Sequence, residues 1–286
     1  MFFTTQPVPR PNLAPGHQGM DVAVLQFQLR QFRDKHRLIF GVEAFDAPYV
    51  DGVFERHTHE AVMKFQRLMG IYPSGVANPD TRKALSSKLS GYGVAPPIVV
   101  DHNITLVTQP TDWDCWAAAT AMMTGLSVKD VFAKTPNNIR TQNPGNSIWG
   151  DMYDALTSRR SGGPSMGVES GKGIDERFAS TFNFRQYAPM TWTVSAFREE
   201  LRKSPLMLAM LSDREKYLKK ESSMGHAVVI SAMVSDNSLS GSGTYIMMLD
   251  PWPDPYPGGK GQVLWNTFDR LYQLKKLTTY QVFSRK

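Results

Sequence analysis

The sequence predicts an α+β protein with two parts, a small helical module and then a larger domain in which helices precede an antiparallel sheet. Over residues 16–90, apolar side chains recur every three or four positions, which is the spacing of amphipathic helices. Further along the chain they form short unbroken runs instead, which are typical of strands buried on both faces. A domain that begins with helices and ends with such strands is of the α+β class.

The boundary between the two patterns is a stretch with the composition of a linker. The segment SSKLSGYGVAPP (residues 86–97) is rich in Gly, Ser and Pro and shows little periodicity. We therefore predict a Pro-rich extended lead-in over residues 1–15, a helical domain over 16–90, a linker over 91–98 and a second domain over 99–286.

Three helices are predicted in the first domain. The first is capped by Asp21, and the second follows Thr58. The third opens at Asn78-Pro79, a capping residue followed by proline at the first helical position, and runs to Leu85. The inward-facing positions of the first two helices are Val22, Leu25, Leu29, Phe32, Ala61, Val62, Phe65, Leu68 and Met69.

The second domain contains further capping signals before its strands. Ser127 and Asp130 form a capping-box pattern, and Thr193 caps a helix that Pro205 ends. Another helix is predicted over residues 148–159, between polar Gly-rich loops. The remaining predicted elements are strands at 206–211, 227–233 and 245–249, a helix at 266–274 and a strand at 278–283.

The only cysteine of the chain, Cys115, lies in the stretch QPTDWDCWAAATAMMTG, just ahead of an Ala- and Met-rich run with high helix propensity. Asp112 and Asp114 can cap this helix, and Gly125 can end it. Cys115 is then in the first turn, where free N–H groups and the helix dipole favour an anion. The pattern therefore indicates a nucleophilic thiolate. Gln109 lies six residues earlier and can direct its side-chain NH2 at a developing oxyanion, beside the Cys115 N–H.

A glutamine followed by a Cys-Trp pair at a helix start resembles the papain-like cysteine peptidases. The segments GHAVVI with His226 and MMLDPWP with Asp250 follow in the Cys, His, Asp order of that superfamily. They are most similar to its bacterial effector-protease and bacteriocin-processing branches. The resemblance implies a papain-like domain in which the nucleophile helix packs on an antiparallel sheet, with Cys115, His226, Asp250 and Gln109 as the catalytic set.

The roles of His226 and Asp250 follow from this resemblance. His102 precedes the cysteine, against the order of the superfamily, so His226 is the candidate general base that takes the thiol proton and later protonates the leaving amine. Asp250 is expected to accept the Nδ1–H of His226 and to stabilise the imidazolium. Trp116 and Trp252 are expected to pack and to shield this pair from water. The other histidines lie in the helical domain: His17, His36, His57 and His59.

The helical domain resembles the peptidoglycan-binding domain found beside many wall hydrolases. The resemblance covers residues 16–90 and is carried by GMDVAVLQFQL, DGVFERHTHEAVMKFQRLMG and SGVANPDTRKAL, which recur in the order of the family. The chain departs from the family pattern by a longer insert across residues 33–50, by Glu55 in place of a usual glycine and by Ser74 in place of a frequent aspartate. These departures bear on glycan affinity rather than on the fold.

Composition excludes several other classes. A net charge of +6 with an isoelectric point near 9.3 is spread over scattered Lys and Arg residues, which indicates a solvated basic surface and no nucleic-acid partner. No apolar segment is long enough to predict a membrane span, and the N-terminus is a poor signal peptide. No metal is expected, because His57 and His59 point apart on a helix. No cofactor is expected either, and the Gly-rich residues 241–243 and 258–261 are not phosphate loops, because neither segment opens a helix after a strand. Residues 258–261 are expected to form a turn.

The leading functional hypothesis is a bacterial cysteine peptidase or amidase that cleaves amide bonds in peptidoglycan or its stem peptides. We expect it to be made in the cytoplasm and secreted without a cleaved signal peptide, as an antibacterial effector or toxin acting in the periplasm or wall of a target bacterium, with a possible cognate immunity protein. Two alternatives stay open. One is an effector protease that cleaves proteins of a recipient cell, and the other is a non-enzymatic wall-binding protein with an inactive papain-like domain.

Overall fold

The computed structural model describes residues 12–42, 44–111, 114–135, 174–187, 192–211, 225–255, 258–273 and 280–286. The chain forms two compact units, residues 1–99 with 234–236 and residues 100–233 with 237–286. The helix predicted over residues 148–159 lies outside the described residues. None of the helices in the described part of the chain has both the length and the apolar character needed to cross a membrane.

The first unit contains the three predicted helices, α1 (Met20–Phe40), α2 (Arg56–Leu68) and α3 (Pro79–Gly91). Their apolar faces enclose one core, in which the rings of Phe32 and Phe65 meet edge to face at 5.0 Å. The prediction of a three-helix module is therefore confirmed. Leu68, which was predicted to face inward, is instead exposed at the last residue of α2.

The bounds of these helices differ from the prediction at several ends. Asp21 lies in the first turn of α1 rather than at its cap, which is Gly19. Helix α2 begins at Arg56, so Thr58 is inside it. The Asn78 side chain caps α3 as predicted, by accepting the Thr81 N–H at 2.8 Å. This helix continues through residues 86–91, where the composition had indicated a linker, because its inner face buries one more leucine, Leu89.

Residues 12–15, at the end of the predicted lead-in, pack onto the helices. Leu13 is buried in the core of the first unit. Its backbone pairs with that of Ala77 through N–H···O bonds of 3.3 and 2.8 Å. This segment is thus part of the folded module rather than a free extension.

A buried glutamine on α1 fixes the turn that precedes α2. Gln26 Nε2 donates to Asp51 Oδ1 at 2.8 Å, to the Val53 carbonyl at 2.9 Å and to Thr58 Oγ1 at 2.9 Å. Its Oε1 accepts the N–H of Gly52 at 2.9 Å. Gly52 has a φ of 71°, a left-handed conformation that glycine adopts without strain.

A second buried glutamine, on α2, repeats this arrangement before α3. Gln66 Nε2 donates to the Val76 carbonyl and to Thr81 Oγ1, both at 2.9 Å, and Oε1 accepts the N–H of Gly75 at 2.9 Å. Gly75 has a φ of 72°. Ser74 Oγ accepts the Val76 N–H at 3.2 Å, so serine performs the hydrogen bonding that Asp51 performs in the first turn. We call residues 49–53 the first glutamine-held turn and residues 72–76 the second.

The second part of the chain is built on a sheet that has seven strands among the described residues. The strands are β1 (Ile98–Asp101), β2 (Phe184–Tyr187), β3 (Leu206–Leu211), β4 (Gly225–Ser235), β5 (Thr244–Asp254), β6 (Lys260–Thr267) and β7 (Tyr280–Arg285). Their order is β2-β7-β3-β4-β5-β6, and β1 pairs with β4. The pairs β2–β7, β3–β7, β3–β4 and β5–β6 are antiparallel. The helices are α4 (Cys115–Thr124), α5 (Val128–Lys134), α6 (Ile174–Thr181), α7 (Val194–Lys203) and α8 (Phe268–Gln273).

Both faces of this sheet are covered, as the unbroken apolar runs had predicted. Alternate residues of a strand point to opposite faces. In β4, Ala227 and Val229 join one core with the residues of α4, whereas Val228 and Ile230 join a second core with those of α7. The predicted α+β class with an antiparallel sheet is therefore confirmed.

The sequence prediction missed three elements and several strand ends. Strands β4 and β5, predicted over 227–233 and 245–249, span Gly225–Ser235 and Thr244–Asp254. Strands β2 and β6 and helix α6 were not predicted, and the expected turn at residues 258–261 runs into β6 from Lys260 onward. Strand β6 has mostly half-buried side chains and lacks the apolar run that marks β3 and β4. The predicted caps Ser127 and Thr193 are confirmed, since each accepts a backbone N–H three residues on.

Candidate active site

Cys115 is the first residue of α4, as the sequence predicted. Every residue from Cys115 to Met123 is buried, so this helix is enclosed by the protein on all sides and holds the thiol in a rigid frame. The helix ends at Gly125, in the left-handed conformation with a φ of 76°. Asp114 occupies the cap position without a side-chain capping bond and instead accepts a hydrogen bond from the Thr111 hydroxyl at 2.6 Å. Asp112 lies outside the described residues.

His226 and Asp250 meet on neighbouring strands of the sheet. His226 is the second residue of β4, Asp250 lies in β5, and the two strands are adjacent. Their side chains are joined by a bond of 2.7 Å between His226 Nε2 and Asp250 Oδ1. The same Oδ1 accepts the backbone N–H of Trp252 at 2.9 Å, which orients the carboxylate.

The imidazole of His226 also forms a hydrogen bond with the Cys115 side chain. Burial by itself would lower the pKa of His226, but the hydrogen bonds to Asp250 and Cys115 and the negative charges of both partners raise this pKa to about 10. An imidazolium with this pKa persists through neutral pH. A cation beside a thiol favours the ionised, nucleophilic form of the sulfur.

The ring nitrogen that binds Asp250 differs from the one predicted. We expected Nδ1–H to donate to the carboxylate, whereas the structure pairs Asp250 with Nε2. That expectation was wrong, because a residue's position in the chain does not define the rotation of its imidazole ring. With Nε2 engaged by Asp250, Nδ1 is the nitrogen that remains for the thiol.

Gln109 is buried close to this pair of strands, but its side chain has a local partner. Its Nε2 donates to the Thr111 carbonyl at 2.7 Å, and its Oε1 is buried without a hydrogen-bond partner among the described residues. Its backbone N–H donates to the carbonyl of Pro251, the residue after Asp250, at 2.9 Å. The expected contribution of Gln109 to an oxyanion hole stays a prediction.

The segment that leads to the nucleophile is bound to β5 and β6 by contacts that the sequence did not indicate. Thr108 Oγ1 accepts the Gly261 N–H at 3.0 Å. A Cβ added at Gly261 would lie 2.6 Å from the Asp250 carbonyl oxygen and 3.2 Å from a methyl group of Leu106. Only glycine allows the three segments to approach this closely. The signal in the sequence was Gly261 itself, which we had interpreted as part of a turn.

The two tryptophans near the candidate residues differ in their surroundings. Trp116 packs into the core between the rings of Phe132 and Phe178, at centroid distances of 5.5 and 6.0 Å. The ring of Trp252 stands edge to face against the imidazole of His226 at 6.5 Å. Of the two, it is Trp252 that covers the His226–Asp250 pair.

The other histidine of the second unit, His102, has a different function. Its Nε2 is hydrogen-bonded to the Leu201 carbonyl near the end of α7, and its N–H donates to the Ser231 carbonyl at 3.0 Å. It therefore joins a helix to the sheet. Across the described residues, no group of three or more His, Cys, Asp or Glu side chains is arranged to hold a metal ion.

Comparison with known proteins gives a family match only for the N-terminal helices. A protein-family model described as a putative peptidoglycan binding domain matches residues 18–85. The N-terminal helices therefore form a peptidoglycan-binding domain. No curated protein matches the chain in sequence. A solved structure titled "Recombinant stem bromelain precursor" is similar over 68% of this chain and 72% of its own, with 10% identity and a TM-score of 0.32.

Proposed function

We propose that the second domain is a cysteine hydrolase of papain-like type that cleaves amide bonds. The observation that carries the proposal is the position of His226, hydrogen-bonded both to Asp250 and to the only thiol of the chain. A position at the first residue of a helix and a neighbouring imidazole with a raised pKa give this thiol the surroundings of a nucleophile. The papain-like motifs of the sequence support the same assignment.

In the proposed reaction, His226 already holds the proton of Cys115, and the thiolate attacks the carbonyl carbon of the amide. The tetrahedral intermediate collapses when the imidazolium protonates the leaving nitrogen, which breaks the C–N bond and leaves a thioester beside a neutral His226. Water then gives a proton to His226 and attacks the thioester, which releases the carboxylic acid product and restores the thiolate beside the imidazolium. Asp250 stabilises the imidazolium in both steps, and Gln109 is proposed to donate to the oxyanion.

The proposed substrate is an amide bond in peptidoglycan or its stem peptides. The peptidoglycan-binding domain at residues 18–85 supports the cell wall as the place of action. An enzyme held on a polymer meets the bonds of that polymer at a high effective concentration. We further propose that the protein acts as a secreted antibacterial effector in the periplasm or wall of a target bacterium, where a cognate immunity protein would protect the producer.

The test is a digest of purified sacculi by the wild-type protein and by the Cys115→Ala variant, followed by mass spectrometry of the soluble products. We expect new free amines from the wild type and none from the variant. If sacculi stay intact while an unfolded protein such as casein is cut, the proposal of a peptidoglycan substrate is wrong and the enzyme is a protease that cleaves proteins. If neither is cut, the hydrolase itself is wrong.

A further inference from the structure

The two glutamine-held turns each present an exposed tyrosine at the same position. Tyr49 lies three residues before Gly52, and Tyr72 lies three residues before Gly75. The two side chains are 73% and 83% exposed. The two positions are equivalent in structure as well as in sequence, because Gly52 and Gly75 each donate an N–H···O bond of 2.9 Å to a buried glutamine.

The tyrosine of the first turn is held in place although its ring is in water. It lies between Pro48 and Val50, which are both buried. The Pro48 carbonyl accepts a hydrogen bond from Arg30 Nη1 at 3.2 Å, and Gln26 holds the residues that follow. The Tyr49 ring meets the exposed ring of His57 edge to face at 6.4 Å. The backbone that carries this ring is therefore fixed on both sides of Tyr49.

The tyrosine of the second turn is anchored through its backbone. The Tyr72 carbonyl accepts the Ser74 N–H at 2.8 Å, and the preceding residue, Ile71, donates to the Gln66 carbonyl at 2.8 Å. Tyr72 makes no ring contact with another described residue. Its ring is available on all sides except where it joins the chain.

Both turns contact the N-terminal part of α2. The first turn reaches it through the Tyr49–His57 ring pair, and the second packs Gly75 against the ring of His59, where an added Cβ would lie 2.0 Å away. Residues 13–18 pair with Ala77 next to the second turn and with Val53 in the first. The same helix and the same extended segment therefore fix the backbone of both turns.

We propose that Tyr49 and Tyr72 are the residues through which the domain contacts the sugar rings of the peptidoglycan glycan strand. A pyranose ring has a face of C–H groups that packs on an aromatic ring, and its hydroxyls can bond to a phenol at the ring edge. Two equivalent aromatic positions suit a polymer of repeating sugars. The inference rests on the peptidoglycan target proposed above and not on the hydrolase.

The test measures binding of the full-length chain to purified sacculi by co-sedimentation, in a Cys115→Ala background so that the polymer stays intact. We expect Tyr49→Ala and Tyr72→Ala each to weaken binding roughly tenfold, and the double variant to weaken it further. Tyr49→Phe and Tyr72→Phe keep the ring face and are expected to stay within about threefold of the parent. Glycan strands stripped of stem peptides should compete with sacculi.

The matched control is Phe40→Ala, which removes a 58% exposed aromatic ring at the end of α1, outside both turns. The proposal is overturned if this variant binds as weakly as the tyrosine variants, if the Phe variants lose as much as the Ala variants, or if released stem peptides compete and stripped glycan strands do not. Because binding is measured without the thiol, a failure here is distinct from a failure of amide cleavage by the wild type.

Discussion

At the scale of single residues, Asp250 connects the hydrogen bonds of the candidate active site. One of its oxygens accepts from both His226 Nε2 and the Trp252 N–H, so the backbone of β5 orients the carboxylate that orients the imidazole. The charge of this carboxylate, together with that of Cys115, raises the pKa of His226. The orienting bond and the charge can be separated by substitution.

Asp250→Asn should keep the orienting bond and remove the charge. Because the charge raises the pKa of His226 to about 10 in the wild type, its removal lowers that pKa. The imidazolium that protonates the leaving group then loses its proton at a lower pH. The alkaline limb of the plot of kcat/KM against pH therefore shifts to lower pH. Asp250→Ala removes both the hydrogen bond that orients His226 and the negative charge, and it should lower kcat at least about a hundredfold. An alkaline limb that does not move in Asp250→Asn would contradict this assignment.

Gln109 offers a second test at this scale. If its amide donates to the oxyanion, Gln109→Ala should lower kcat for amide hydrolysis by about 10²–10³. Alkylation of Cys115 by iodoacetamide forms no oxyanion, so its rate should stay unchanged in the same variant. Equal losses in hydrolysis and alkylation would instead indicate that Gln109 acts by holding Thr111, whose carbonyl its Nε2 binds at 2.7 Å.

At the scale of elements, the site depends on close packing between the segment that precedes α4 and strands β5 and β6. The register of β5 and β6 shifts between Asp250 and Asp254, so the pairing is irregular next to the carboxylate. Gly261 lies opposite this irregularity, and Thr108 accepts its N–H. The geometry of Asp250 thus depends on a residue of β6 that touches neither the thiol nor the imidazole.

Gly261→Ala tests this dependence. The new methyl group would lie 2.6 Å from the Asp250 carbonyl oxygen, so β5 and β6 must separate where Asp250 is held. We expect at least a roughly tenfold loss of kcat for amide hydrolysis, with the alkaline limb shifted in the direction of Asp250→Asn. The control is Gly91→Ala, where an added Cβ meets nothing within 4 Å. Wild-type activity in Gly261→Ala would show that the approach of these segments is not needed.

The elements also show why sequence patterns predicted some parts of the fold and missed others. Strands β3 and β4 were predictable because burial on both faces demands unbroken apolar runs. Strand β6 was missed because its side chains are mostly half-buried and mixed in character. The start of α4 at Cys115 and its end at Gly125 followed from local propensity, whereas the Thr108–Gly261 contact joins residues far apart in the chain and has no local signal.

At the scale of the whole molecule, the chain carries a recognition function and a proposed chemical function on separate folded units. In the first unit, the buried glutamines Gln26 and Gln66 shape two turns. The second unit contains the only thiol and the histidine bonded to it. The order of Cys115, His226 and Asp250 was visible in the sequence. The ring nitrogen used by Asp250 and the local bond of Gln109 depend on side-chain rotation, which the sequence does not encode position by position.

The most direct test of the account is the rate at which iodoacetamide alkylates Cys115 as a function of pH, since the chain has no other cysteine to react. The account predicts that the wild type is alkylated at least about tenfold faster at neutral pH than His226→Ala, because the imidazolium of His226 activates the neighbouring sulfur. This advantage should be lost as the pH rises through the pKa of His226, about 10, where the imidazolium loses its proton. Equal alkylation rates in the wild type and in His226→Ala across the whole pH range would contradict the proposed nucleophile.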